Sequence, residues 1–204
     1  MELGFKETEA IFAARYGLTE PSIAFRGRLQ HLQRGEFPKG VNTGKGKKAV
    51  YGWSQLTQLG VALDLIEVGL TPDVAKRLVQ AELEQVLRGA ASIGVRLSEA
   101  ELMKAATSHS LSFAKSVFVI TSARALSSLA KAESEEDQEL DVISGTALIA
   151  QIRGGNPYAA SMTYIDLGIR TVLILSFISR FTARELGSVV ADFQTWASDN
   201  VINP

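Results

Sequence analysis

The sequence predicts a mostly α-helical fold with an α+β C-terminal part, and three observations predict it. Apolar residues recur at helical spacing through most of residues 5–88. A glycine- and lysine-rich stretch, PKGVNTGKGKKAVYGW from Pro38 to Trp53, interrupts that pattern with residues suited to a hairpin. Beyond about residue 97 the texture changes, and the β-rich runs SVFVITS and ASMTYID appear between helical segments. With 204 residues, 46% hydrophobic and 21% charged, the chain can build one large core or two small ones. The change of texture divides it into residues 1–96 and 97–204.

Taken in order, KETEAIFAARYG sets Ile11, Phe12 and Tyr16 at helical spacing, and Gly17 stops the helix. A second helix restarts at Thr19 as N-cap, with Pro21 in its first turn and Ile23, Phe25, Leu29 and Leu32 following. Two helices joined by a short turn form the outline of a helix-turn-helix. Pro38 ends the second one. Asn42, Gly44 and Gly46 suit positive φ, and Val50, Tyr51 and Trp53 favour a strand, so a hairpin tipped by NTGKGKK is expected. SQLTQLGVALDLIEVGL reads as an amphipathic helix capped by Ser54. Thr71-Pro72-Asp73 opens another, whose helical character fades at RGAASIG. In the C-terminal part SEAELMKAA is helical. LDVISGTALIAQI leans towards strand, ESEEDQE is an exposed loop, and TARELGSVVADFQTWA is a closing helix capped by Thr182. The apolar IDLGIRTVLILSFISR is interrupted by Asp166 and Arg170. Its uncharged part is about half the roughly 20 residues that span a bilayer, so it reads as buried core with no membrane role.

The net charge of −1 conceals an asymmetry. Residues 1–53 hold 9 Lys and Arg against 5 Asp and Glu. Within 26–53 seven basic residues (Arg26, Arg28, Arg34, Lys39, Lys45, Lys47, Lys48) face Glu36 alone. A basic patch on a near-neutral chain points to a local polyanion site. The absence of cysteine excludes disulfides, thiolate metal ligands and a cysteine nucleophile, and fits a cytoplasmic protein. The first ten residues, MELGFKETEA, carry acids and no apolar run, so no secretory signal is expected there.

The glycine–lysine loop is not a P-loop. Gly40 and Gly44 are one residue too close, Gly46 follows Lys45 where Ser or Thr is needed, and QRGEFP is no buried strand. Two readings remain, a solvated hairpin or a wing whose lysines neutralise DNA phosphates. Tyr51, Leu56 and Leu59 fit the pattern Y-x(4)-L-x(2)-L, and Gly69-Leu70-Thr71 follows eighteen residues after the tyrosine. With the upstream helix-turn-helix, residues 5–88 resemble the MerR superfamily of winged-helix DNA-binding proteins. The resemblance implies that the helix starting at Thr19 is the recognition helix, with base or phosphate contacts from Ser22, Arg26 and Arg28. It implies a basic wing at Lys45, Lys47, Lys48 and Tyr51. Arg26 and Arg28, two positions apart, cannot share a narrow helix face. Tyr51 and Trp53 suit packing beneath the wing.

Other chemistry finds little support. His31 and His109 lack ligand-like spacing, so no metal is expected. TSHSLS contains no G-x-S-x-G elbow, and Asp166 suits a helix N-cap better than a catalytic carboxylate. No enzyme activity and no cofactor are expected. The expected function is a cytoplasmic, bacterial or phage transcription regulator that binds double-stranded DNA as a homodimer. Residues 97–204 would form the dimerisation or sensor domain, with a small-molecule effector left open, and a fragment of residues 1–96 would fold alone. The alternative is a protein–protein adaptor on a helix-turn-helix scaffold that has lost DNA.

Overall fold

The structure is a computed structural model that describes residues 1–41, 48–121, 140–154 and 162–202. Those residues are mostly helical, with two small antiparallel sheets, one of two strands and one of three. A two-residue strand β1 (Leu3–Gly4) leads into α1 (Phe5–Arg15) and α2 (Ile23–Arg34). Then come β2 (Val50–Tyr51), α3 (Trp53–Glu67), α4 (Pro72–Ala81), α5 (Leu83–Arg96) and α6 (Glu99–Ser108). The C-terminal part adds β3 (Val117–Thr121), β4 (Leu140–Ser144), α7 (Gly145–Arg153), β5 (Thr163–Asp166), α8 (Leu167–Thr182) and α9 (Leu186–Ile202). No helix among the described residues is long and apolar enough to cross a membrane.

Local chemistry sets most of these boundaries. Gly17 adopts φ +71°, which reverses the chain after α1 and brings the Leu18 N–H to the Ala13 carbonyl at 3.0 Å. Gly69, at φ +103°, does the same after α3, where the Leu70 N–H reaches the Leu65 carbonyl. Thr71 caps α4 with Pro72 in its first turn. Ser98 and Glu101 form a reciprocal capping box on α6. Asp166 ends β5 and caps α8, accepting the Ile169 N–H at 2.9 Å and the Ser116 hydroxyl.

Several boundaries differ from the sequence expectation. The cap of α2 is Ser22, which accepts the Phe25 N–H at 3.1 Å, so Thr19 and Pro21 precede the helix. Helix α3 starts at Trp53 behind Gly52, one residue ahead of the expected Ser54 cap. LDVISGTALIAQI divides at Ser144, whose hydroxyl caps α7; its first half is β4 and its second half is helix. Thr182 is the last residue of α8 and bonds back to the Ile178 carbonyl, so it does not cap the closing helix α9, which begins at Leu186. The strand at Val50–Tyr51 pairs with the N-terminal Leu3–Gly4, register Leu3 to Tyr51 and Gly4 to Val50. The expected hairpin tip and the ESEEDQE loop lie outside the described residues.

Strand β3 is central in the order β4-β3-β5, antiparallel to both neighbours. Its alternation serves two faces. Val117 and Val119 join the main core beside α5 and α8, whereas Phe118 and Ile120 join a small cluster with Leu148 of α7. Helix α5 continues through RGAASIG because α9 crosses it closely. A Cβ on Gly94 would lie 2.6 Å from the Ala197 Cβ and 2.9 Å from the Phe193 ring. Trp53 meets Phe193 edge-on at 5.0 Å and donates its indole N–H to Asp192 at 2.7 Å. Gln194 donates to the Gly94 and Leu97 carbonyls at 3.2 and 2.9 Å. One buried cluster thus runs from Leu3 to Phe193, and the division at 96/97 falls inside it, next to buried Leu97.

Candidate nucleic-acid interface

Helix α2 buries only Leu29 and Leu32, with Phe25 half-buried against Tyr16. Ser22, Ile23, Ala24, Arg26, Arg28, Gln30, His31 and Arg34 face solvent. No Asp or Glu occurs in its twelve residues. A helix of that length measures about 18 Å and is cationic along its exposed sides.

The sites expected from sequence separate in this setting. Arg28 is exposed. Arg26 turns to α1 and grips Glu9 with Nε and Nη2 at 2.7 and 3.0 Å; Glu9 is buried, while the arginine side chain stays half exposed. The hydrogen bond and charge of Glu9 push the Arg26 guanidinium above its ordinary value. Much of its donor capacity is therefore occupied within the fold. Ser22 is spent as the α2 cap, although its side chain remains exposed. Thr19 is exposed in the turn ahead of α2. Lys48 is exposed, and Lys45 and Lys47 lie outside the described residues.

Tyr51 requires a correction. It is 2% exposed, paired with Leu3 and packed in the main core, and burial pushes its phenol up to about 12. It supports the strand beneath the loop and does not present a contact to a nucleic acid. The reason is the pleat: Val50 points out and Tyr51 in.

Three further cations belong to the same region. Lys39 is exposed, and its backbone is pinned by α3, with its N–H on Gln58 Oε1 at 2.9 Å and its carbonyl accepting from Gln55 at 3.1 Å. His31 and Arg34 line a cleft of about 220 Å³ with Lys76 of α4. Lys76 donates to the Gly35 carbonyl at 3.0 Å, capping the end of α2, and Asp73 stands 4.0 Å from His31 Nε2. Arg34 and Lys39 belong to the basic run visible in the sequence. Lys76 was missed because only the packing of α4 against α2 brings it there.

The other candidates have structural partners. His109 ends α6 and its Nε2 lies 2.9 Å from the Ser176 hydroxyl. Among the described residues no group of three His, Cys, Asp or Glu could hold a metal. Comparison of the chain with protein-family models, curated proteins and solved structures gives no match. The resemblance to the MerR superfamily therefore rests on its motifs alone.

Proposed function

We propose that the chain is a DNA-binding transcription regulator, in which α2 enters the major groove and the basic residues around it hold phosphates. The observation that carries this reading is the exposure of α2: a twelve-residue helix with three arginines and no carboxylate, buried at only two positions. Its diameter suits a groove about 12 Å wide. Arg28 is the first candidate for a contact made by α2. Lys39 and Lys48, with Lys45 and Lys47, are candidates for the backbone, where charge rather than sequence is read. Because Glu9 holds Arg26, that arginine orients α2 on α1 and is a weaker candidate for reading a base.

The reading includes a homodimer on paired half-sites. Its sequence argument, the apolar surplus of SVFVITS and TVLILSFI, is weakened by burial of these runs within the chain's own core, as Val117–Thr121 and Val172–Ile178 show. Symmetry of operators is what remains in its favour. One observation favours the adaptor reading. Ile23, at the start of α2, is 92% exposed, a large apolar side chain offered to solvent. On DNA it would meet a thymine methyl; on a protein it would enter a pocket.

The test is fluorescence anisotropy of the full chain on a selected duplex across a salt series. Arg28→Ala with Lys48→Ala is expected to lower the slope of log affinity against log salt by roughly 0.9 for each lost contact. No binding at low salt would remove DNA and leave the adaptor, whereas binding with an unchanged slope would show that Arg28 and Lys48 hold no phosphate. Sedimentation of the same sample, free and on DNA, decides whether two chains bind together.

A further inference from the structure

We propose that the groove between α5 and the sheet is a binding site for a small organic anion with an apolar body. It is lined by none of the residues assigned to the nucleic-acid interface and does not depend on DNA binding.

The groove has a volume of about 590 Å³, within the roughly 300–1,000 Å³ range of small-molecule sites. One side of α5 supplies Arg88, Gly89, Ser92 and Arg96; Val117 of β3 and Val142 of β4 face them. Gly89 carries no side chain, which lets α5 lie directly against the valines of the sheet. A Cβ there would lie 2.6 Å from Val142 Cγ1 and 3.4 Å from Val117 Cγ1. Helix and sheet therefore touch at Gly89, and the groove runs beside that contact with Arg88 and Arg96 in its lining.

The charge at the rim is positive and incompletely matched. Arg88 is half exposed and pairs with Glu84 one turn earlier on α5. Arg96 is held in place by backbone carbonyls only, Nε on Ser92 at 3.1 Å and Nη2 on Lys115 at 3.4 Å. No ion pair to a carboxylate holds Arg96 among the described residues. The nearby Lys115 is neutralised by Glu101 at 2.6 Å. Asp141, beside Val142, accepts the Val142 N–H at 2.7 Å. The open charge in this wall is thus a guanidinium already oriented, whose planar fork matches a carboxylate better than a point cation would. A ligand with its ring or chain beside this contact, against the half-buried Val142, and its carboxylate at Arg96 satisfies both parts of the groove.

The test is a titration of the ¹⁵N-labelled full chain, followed by amide chemical shifts, with 2-naphthoate and with its neutral analogue 2-naphthamide. The expected result is saturable shifts at Gly89, Val117 and Val142 with 2-naphthoate, and binding of 2-naphthamide weaker by about tenfold or more. Arg96→Gln should remove the preference for the anion, while Arg96→Lys should keep part of it. Absence of saturable shifts at those three amides overturns the proposal, as does equal binding of acid and amide to the unchanged protein. The acid–amide comparison decides the matter even where an Arg96 variant fails to fold.

Discussion

Asp64, on α3, accepts from Arg15 and Tyr16 at the end of α1 and is paired with Arg170 of α8. Arg15 Nη2 reaches it at 2.8 Å, the Tyr16 hydroxyl at 2.8 Å, and Arg170 of α8 lies against the same carboxylate. Arg170 is 1% exposed, and burial, with the neighbouring Arg15 charge, lowers its pKa well below the ordinary value. Two cations share one anion, so the cluster carries a buried positive excess whose cost depends on Asp64. Asp64→Asn should destabilise the protein by about 3 kcal/mol, the low end for stranding a buried charge, because Asp64 and Arg15 keep 13% and 15% exposure. Arg170→Met should be near neutral or stabilising, since it removes the excess and leaves a side chain that packs. Urea unfolding measures both; equal losses in the two variants would show that the ion pair itself, and not the stranded charge, stabilises the fold. The sequence marks Arg170 as an interruption in an apolar run but not its partner, which lies 106 positions away on another helix. Arg26 is similar: its exposure on α2 follows from spacing, but its hold on Glu9 depends on how α1 and α2 cross. The resemblance offers Tyr51 as a wing contact while its side chain suits packing beneath the wing, and the β-strand alternation turns it inward.

Glycine accounts for the main difference at the scale of elements. The two glycines in RGAASIG suggest a failing helix, because glycine costs about 1 kcal/mol per position against alanine. In the fold those residues are the contact surface of α5, with the sheet at Gly89 and α9 at Gly94. Gly94→Ala should therefore lower the melting temperature. Overpacking against Ala197 and Phe193 costs about 1–3 kcal/mol, which outweighs the propensity gained. A raised melting temperature would mean that α9 moves aside without loss. Elements with strong local signals were legible: α1 with its Gly17 stop, α4 with its Thr71-Pro72 start, α6, β3, β5 and the Asp166 cap. The junction of β4 and α7 was not, because Ser144-Gly145 is a cap signal inside a run rich in β-branched residues. The cationic exposure of α2 was legible as composition. Its cleft with Lys76 was not, since it needs the α2–α4 contact.

For the molecule as a whole, the buried cluster decides what can be separated. Helix α8 packs on α1 and α3, and α9 packs on α5 and reaches Trp53 of α3. A fragment of residues 1–96 would expose the sides of Gly60, Trp53 and Gly94 that now meet Arg170 of α8 and Phe193 and Ala197 of α9. It would also leave Asp64 with Arg15 but without Arg170, and the Trp53 indole without Asp192. Burial of apolar surface stabilises by roughly 25 cal/mol per Å², and whole domains are stable by only about 5–15 kcal/mol. Loss of two long helices from one continuous core is therefore expected to exceed the margin. The fragment should show helical circular dichroism with a broad, weakly cooperative melt, and the full chain a single sharp transition in which the fluorescence of Trp53 and Trp196 and the helicity change together. Co-expression of residues 97–204 should restore the sharp melt by rebuilding the core from two pieces. A fragment that melts as sharply as the full chain would establish residues 1–96 as an autonomous head and make α8 and α9 an addition to it.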